Sequence, residues 1–318
     1  MGILTSFLSL FQGPALIGLL AATIRMATPL AFASMGQIFA QLSGILDLSV
    51  EGLMLMGAFF GFAGAAFTGN LWLGVLIGMI IAGLTSLLMA FLSVTLHANQ
   101  TIVSIMIGLM LAGLVTFLNK LIFGVAYIPQ KIEVFQSVHF PVLSDLPYIG
   151  PILFQQNILV YLAIILVPIV SIIVYRTPFG LAVRSAGEHP RAADSLGINV
   201  FRLRYITIFI GGLGAGLGGA FLSLGYLGTY TDIITSGRGW LAISLVFFGK
   251  WIPGRVAIGA IFFAFINAVQ LRMQAIAGEM VAYQLLLMLP YLLCILVLTV
   301  IARNAGSPAE FAENYIRE

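Results

Sequence analysis

Enzymatic chemistry needs a nucleophile, an acid or base, or a set of metal ligands within reach of one another, and such residues are sparse in this chain. His97, His139 and His189 stand far apart, and the sequence contains no HExxH, no GxSxG nucleophile elbow and no GxxxxGK[ST] phosphate loop. The chain therefore has no means of hydrolysing ATP by itself, no catalytic residue is assigned, and no metal site is expected. Cys294 is the single cysteine and lies in an apolar run, so it reads as a small hydrophobe rather than a redox or metal group. One GxGxxG occurs, at Gly214, Gly216 and Gly219, but it follows no strand and no acidic residue stands at the ribose-binding distance. Gly212, Gly214, Gly216 and Gly218 instead form overlapping small-xxx-small faces, which let helix backbones touch. The pairs Gly57 and Gly61, and Gly74 and Gly78, repeat the device.

Polar residues inside apolar segments are the other place where function can show. Asp47 and Glu51 flank the start of one such segment, within Ile45-Leu-Asp-Leu-Ser-Val-Glu-Gly52. Asp47 or Ser49 could cap a helix there and Glu51 could complement its macrodipole; equally, Asp47 and Glu51 could line a solute path. Asn99 and Gln100 open another segment, again as caps or path residues, and Asn267 and Gln270 lie near the end of a later one. None of these forms the Asp/Glu/His relay of a proton-coupled carrier, which weakens the competing reading of an ion-coupled secondary transporter.

The elements that position these residues follow from composition. Hydrophobic residues make up 61% of 318 positions and charged residues 8%, against about 25% charged in an average soluble domain. Divided by the ~20 apolar residues that one bilayer crossing needs, the length allows about ten crossings. The sequence pI of about 9.1 reflects an excess of three charges with no basic run among aromatics, so nucleic acid is not an expected partner. The absence of period-2 alternation excludes a barrel, and the expected fold is an all-α polytopic membrane protein, a single transmembrane domain over 1–318.

Ten helices are expected, near 3–22, 27–46, 49–68, 71–95, 100–118, 157–174, 205–226, 239–249, 256–271 and 281–302. The N-terminus lacks a basic region before Arg25 and reads as a retained first span. Arg25 is placed in a turn between the first two helices rather than mid-bilayer. Segment 239–249 is too short to span at ~1.5 Å per residue, and 27–46 carries Gln37 and Gln41. Either could be a half-helix or re-entrant element lining a cavity. The segment 119–156, with four prolines, is expected to form a cap outside the bilayer. The stretch 175–204 carries Arg176, Arg184, Arg191, Arg202 and Arg204 against Glu188 and Asp194, and the positive-inside rule holds it in the cytoplasm. Counting from it places both termini, and the tail 303–318, in the cytoplasm.

Within that stretch Pro190 can start a short helix, Ala192 and Ala193 continue it, and Gly197 end it. The run Gly187-Glu-His-Pro-Arg-Ala-Ala193 to Gly197-Ile198 resembles the coupling-helix signature of the branched-chain amino acid, ribose and nucleoside permease family of ATP-binding-cassette importers. Ser43-Gly-Ile-Leu-Asp-Leu-Ser-Val-Glu-Gly52, Ala98-Asn-Gln-Thr101 and Gly237-Arg-Gly-Trp-Leu-Ala to Phe248-Gly-Lys-Trp251 are similar to the same family, in the expected order. Val50 to Gly57 and Phe265 to Arg272 look most like its nucleoside-type or simple-sugar-type branch. The resemblance implies a bacterial or archaeal plasma-membrane permease that moves a small neutral polar solute by alternating access. It implies a second permease subunit as partner, most often a different chain, two cytoplasmic ATPases that bind ATP and Mg, and an extracytoplasmic solute-binding protein. It makes Arg184, Glu188, His189, Pro190, Arg191, Ala192, Ala193 and Gly197 the ATPase-coupling residues.

Overall fold

The computed structural model describes residues 13–124, 130–141, 143–277 and 306–316, with isolated helical positions between 288 and 299. In chain order the helices are α1 (Gly13–Leu42), α2 (Val50–Thr68), α3 (Leu71–Ala90), α4 (Gln100–Phe123), α5 (Ile158–Arg176), α6 (Pro178–Glu188), α7 (Pro190–Ser195), α8 (Val200–Ala220), α9 (Arg238–Phe248) and α10 (Pro253–Ala277). Wider π turns extend α3 over Phe91–Thr95 and α8 over Phe221–Leu227. Among the described residues, seven helices are long and apolar enough to cross a membrane, and this is a multi-pass membrane protein.

Local chemistry sets the boundaries. Asn70, Asn99, Asn157, Thr177 and Asn199 each sit just before a helix and accept a hydrogen bond from a backbone N–H of its first turn, satisfying donors that have no partner within the helix. Gly69 ends α2 in the left-handed region at φ 67°, where a side chain is costly.

The core is built of backbone contact. α8 lies at its centre, packed on α1, α2 and α3, and its glycines mark the closest approaches. A Cβ on Gly214 would meet the Phe32 carbonyl at 2.7 Å and Gly36 Cα at 2.9 Å; one on Gly218 would meet the Pro29 carbonyl at 2.7 Å. Gly212 faces Ser86, and Gly216 faces Ala82 and Gly78. Gly57 of α2 sits directly on the Gly216 backbone, and Gly61, Gly74 and Gly78 join α2 to α3. The most apolar helices, α3, α4 and α5, are among the least buried, while the less apolar α2 and α8 are the most buried. That inverts the order of a soluble protein and fits a lipid solvent, in which close packing rather than oil-water partition holds helices together.

Several boundaries differ from expectation. α1 runs unbroken for 30 residues through Arg25, so the turn placed there does not exist. The sequence around it, Ala21-Ala-Thr-Ile-Arg-Met26, contains no breaker, and Arg25 is exposed on the helix surface, so its charge needs no turn to reach a polar environment. Among the described residues, five long apolar helices precede the Arg-rich stretch, where six spans are expected. Gln37 and Gln41, on the segment that could have been a half-helix or re-entrant element lining a cavity, are fully buried on the continuous α1. α4 continues to Phe123 and takes in the first residues of the expected outer segment. α8 begins at Val200, because Asn199 caps it, and so absorbs Arg202 and Arg204. α9 is an 11-residue helix, about 16 Å long, as its short apolar run required. Residues 3–12, most of 281–302 and Cys294 lie outside the described residues.

The ends of the bundle are distinct. At one end gather the α1–α2 connector (residues 43–49), the α6–α7 pair, the turn before α10, and residues 306–316. At the other, 130–141 runs along the ends of α3 and α8. There Ile132 N–H donates to Gly228, Phe135 N–H to Leu224, and Phe135 packs edge-on to Trp72.

Candidate functional site

Three of the polar candidates converge on the α1–α2 connector. Asp47 is fully buried, and its Oδ1 accepts from Ser49 N–H at 2.8 Å and Ser49 Oγ–H at 2.6 Å. Contrary to expectation, neither residue caps α2 through its side chain. Ser49 holds φ −78°, ψ −2°, a helical rather than extended conformation, so its hydroxyl cannot reach forward to the first-turn donors and turns back to Asp47. Burial pushes the Asp47 carboxyl above its ordinary pKa, against the lowering effect of the Ser49 bonds. The Gln37 side chain, buried on α1, acts on the same carboxyl in the lowering direction.

Glu51 stands in the first turn of α2 yet serves another helix. Its Oε1 accepts from Thr235 Oγ–H at 2.5 Å and Gly237 N–H at 2.8 Å, and its Oε2 from Gly239 N–H at 2.6 Å. The carboxylate thus closes the N-terminus of α9, where unpaired N–H groups and the helix dipole both favour a negative charge. Gly239 is needed for the approach, since a Cβ there would meet the Glu51 backbone at 2.5 Å. Gly237 takes the left-handed conformation at φ 80°, so the Arg238-flanking glycines are geometric requirements of this junction.

Gln100 binds the connector from α4. Its Oε1 accepts from Leu46 N–H at 2.9 Å, and its Nε2 donates to the Glu313 carbonyl and to Asn314 Oδ1, both at 3.2 Å. Asn99 caps α4 by accepting from Ile102 N–H at 3.1 Å. Asn267 is not brought to this group. It is half-buried on α10, which packs on α1, α5 and α9.

The Arg-rich stretch forms two short helices. Thr177 accepts from Gly180 N–H at 3.1 Å and Pro178 occupies the first position of α6; Pro190 does the same for α7, and Gly197 follows at φ 88°. Pro190 and Ala193 are buried anchors, whereas Glu188, His189, Arg191, Ala192 and Gly197 are exposed. Arg184 lies half-buried with its guanidinium 5.3 Å from the Tyr175 ring centroid, a cation–π distance.

Sequence reasoning overlooks several partners. Leu196, at 83% exposure the most exposed large hydrophobic side chain among the described residues, sits at the tip beside Gly197. Arg204 reads as one of the surface charges but is 2% exposed, with Nε donating to the Ser43 carbonyl at 3.2 Å. Trp251 Nε1–H donates to Gln41 Oε1 at 3.0 Å, tying the α9–α10 turn to α1. α6 is absent from the expected helices although Thr177-Pro178 is a readable cap and first position.

Residues 19–298 match the family model described as the branched-chain amino acid transport system permease component. TsgC13 of Haloferax volcanii, an ABC transporter permease protein named for glucose, is 39% identical over 264 residues, 82% of this chain and 79% of the relative. The guanosine ABC transporter permease protein NupQ of Bacillus subtilis is 36% identical over 312 residues, covering 93% and 95%. The nucleoside ABC transporter permease protein NupC of Lactococcus lactis subsp. cremoris is 32% identical over 310 residues, covering 94% and 96%. No solved structure matches. The chain belongs to the branched-chain amino acid transport system permease family and is the permease subunit of an ABC importer.

Proposed function

We propose that this permease imports a small neutral polar solute, a nucleoside first and a ribose-like sugar next, across a bacterial or archaeal plasma membrane. It works with a second permease chain, two ATPases that bind ATP and Mg, and a solute-binding protein on the outer side. The end carrying α6 and α7 faces the cytoplasm, which agrees with its five arginines and with Lys250 and Arg255 at the same end. Segment 130–157 then faces outward, as does the Gly13 end of α1.

The observation that carries this reading is the α6–α7 projection. An otherwise apolar bundle raises one polar tip, with Glu188, His189, Arg191 and Leu196 exposed and Pro190 and Ala193 fastening it below. An exposed leucine ringed by charge suits insertion into a partner's groove. ATP binding brings the ATPases together, the tip moves with them, and glycine-faced helices shift between discrete packings. The nucleoside preference rests on NupQ and NupC, which match over nearly their whole length.

The test replaces Glu188 and Arg191 together by alanine in the assembled transporter. Uptake falls at least tenfold while the permease elutes as a folded species. Normal uptake by the double variant would remove the coupling assignment. Competition with unlabelled guanosine, ribose and leucine ranks the solutes, and a leucine preference would overturn the nucleoside reading.

A further inference from the structure

Residues 306–316 return to the coupling end and lie across five parts of it at once. Glu310 N–H donates to the Gly187 carbonyl at the end of α6 at 3.0 Å, and Ala312 N–H donates to the Gly44 carbonyl of the connector at 2.9 Å. The tail reaches α7 through Tyr315 Oη–H, which donates to Asp194 Oδ2 at 3.0 Å, and Ala309 N–H donates to Glu188 Oε2 at 3.3 Å. Asn314 Nδ2 donates to the His97 and Ala98 carbonyls at 2.6 and 3.1 Å, holding the tail to the α3–α4 turn. Phe311 packs edge-on to Phe247 and Trp251, at the far end of α9.

Arg204 is the buried node of this arrangement. Its Nε donates to Ser43 of the connector and its Nη1 to the Glu313 carbonyl of the tail at 3.1 Å. A neutral exposed tail would need none of this. Charge-assisted bonds from a guanidinium with 2% exposure fix the tail to the connector more firmly than surface contacts do. The connector in turn leads within a few residues to Glu51, which closes the N-terminus of α9.

We propose that residues 306–316 are a transmission strap, which carries movement of the α6–α7 pair to the α1–α2 connector and thence to α9, with Arg204 as its positioning residue. The proposal rests on the assignment of α6–α7 as the ATPase contact and adds the element that relays the contact inward. Gly187 also meets the connector directly, so closely that a Cβ on it would overlap the Leu42 carbonyl; α6 and the connector already abut. The strap makes the abutment two-way, because it pulls the connector when α6 recedes as well as letting α6 push it.

Ala312 gives the cleanest test. It sits at φ 65°, where proline cannot follow, and its N–H is the donor to Gly44. Ala312→Pro therefore breaks the strap at one point, whereas Ala312→Gly keeps the donor and accepts the conformation. Both variants, and a chain ending at residue 305, are reconstituted as full transporters in proteoliposomes, and solute taken up per ATP hydrolysed is measured. Ala312→Pro lowers that ratio at least fivefold with the ATPases still co-purifying and basal hydrolysis within about twofold; Ala312→Gly keeps the ratio. An unchanged ratio for Ala312→Pro overturns the strap, and so does loss of the ATPases from that variant, which would make the tail a docking element. Where the truncated chain does not fold, the two Ala312 variants decide. Failure of the α6–α7 assignment shows separately, as unchanged ATPase co-purification with Leu196→Ser, a substitution at an 83% exposed side chain that takes part in none of the strap's bonds.

Discussion

Replacing Glu51 by alanine removes the acceptor of three donors, Thr235 Oγ–H, Gly237 N–H and Gly239 N–H. A hydrogen bond to a charged group contributes about 1.5–3 kcal/mol, and a buried donor left unpaired costs about 1–3 kcal/mol. The three bonds share one carboxylate and do not add, and Glu51 is only half-buried, so water replaces part of the loss. A net cost of about 2–3 kcal/mol follows for seating the start of α9. Glu51→Gln keeps an amide oxygen for Thr235 and Gly237 but turns an NH2 group toward the Gly239 N–H, a donor against a donor. Its cost is about 1–2 kcal/mol. At about 1.4 kcal/mol per factor of ten, hydrogen exchange of peptides covering 236–243 accelerates roughly 30- to 140-fold in Glu51→Ala and about 5- to 30-fold in Glu51→Gln. The measurement uses purified permease under conditions where exchange reports local opening. Peptides from α8 serve as reference and stay within about twofold. Exchange at 236–243 that is unchanged in Glu51→Ala, or equally fast in α8, refutes the assignment of Glu51 as the closure of α9.

Other substitutions separate packing from exposure. Gly57→Ala drives a methyl group into the Gly216 backbone, which cannot swing aside as a side chain could. A loss of about 3 kcal/mol or more shows as a fall in melting temperature or in folded yield, whereas Gly113→Ala, with nothing within 4 Å, raises stability by up to about 1 kcal/mol. Trp251→Phe keeps most of the ring contacts but leaves the buried Gln41 Oε1 without its donor, lowering stability by about 1–3 kcal/mol in a melting assay. Leu196→Ser at the α7 tip leaves the melting temperature unchanged, because the side chain is 83% exposed, and lowers ATPase co-purification at least fivefold.

The helices are legible in the sequence wherever a cap and an apolar run coincide. The 71–95 segment matches α3 and its π turn, since Asn70 opens it and the apolar run is continuous. α2, α5 and α9 are displaced by a residue or two. Where a charge stands in for a breaker the expectation fails: Arg25 interrupts hydropathy but not backbone geometry, and a helix surface accommodates it. Arg204 shows the same error in reverse. Its charge reads as solvent-facing, yet the carbonyls of Ser43 and Glu313 receive it in the interior. Their partnership links positions 161 and 109 residues apart, and no local pattern encodes such a pair.

The same limit explains Glu51. Its position in the first turn of α2 is sufficient reason for an acidic residue, so sequence alone offers the local helix as its beneficiary. What distinguishes the structure is that the carboxylate serves α9 instead, a helix about 16 Å long that cannot stand across a bilayer by itself. A short helix in a membrane bundle must have its terminal N–H groups answered by protein, and Thr235, Gly237 and Gly239 have one carboxylate for that purpose. The shortness of 239–249 is enough to raise the requirement, and Asp47, Glu51 and Asp232 are all acids that could meet it. Choosing among them takes the connector's path, because Asp47 spends its Oδ1 on Ser49. The two acids therefore divide the work of the 43–51 segment: Asp47 shapes the connector, and Glu51 joins its end to α9.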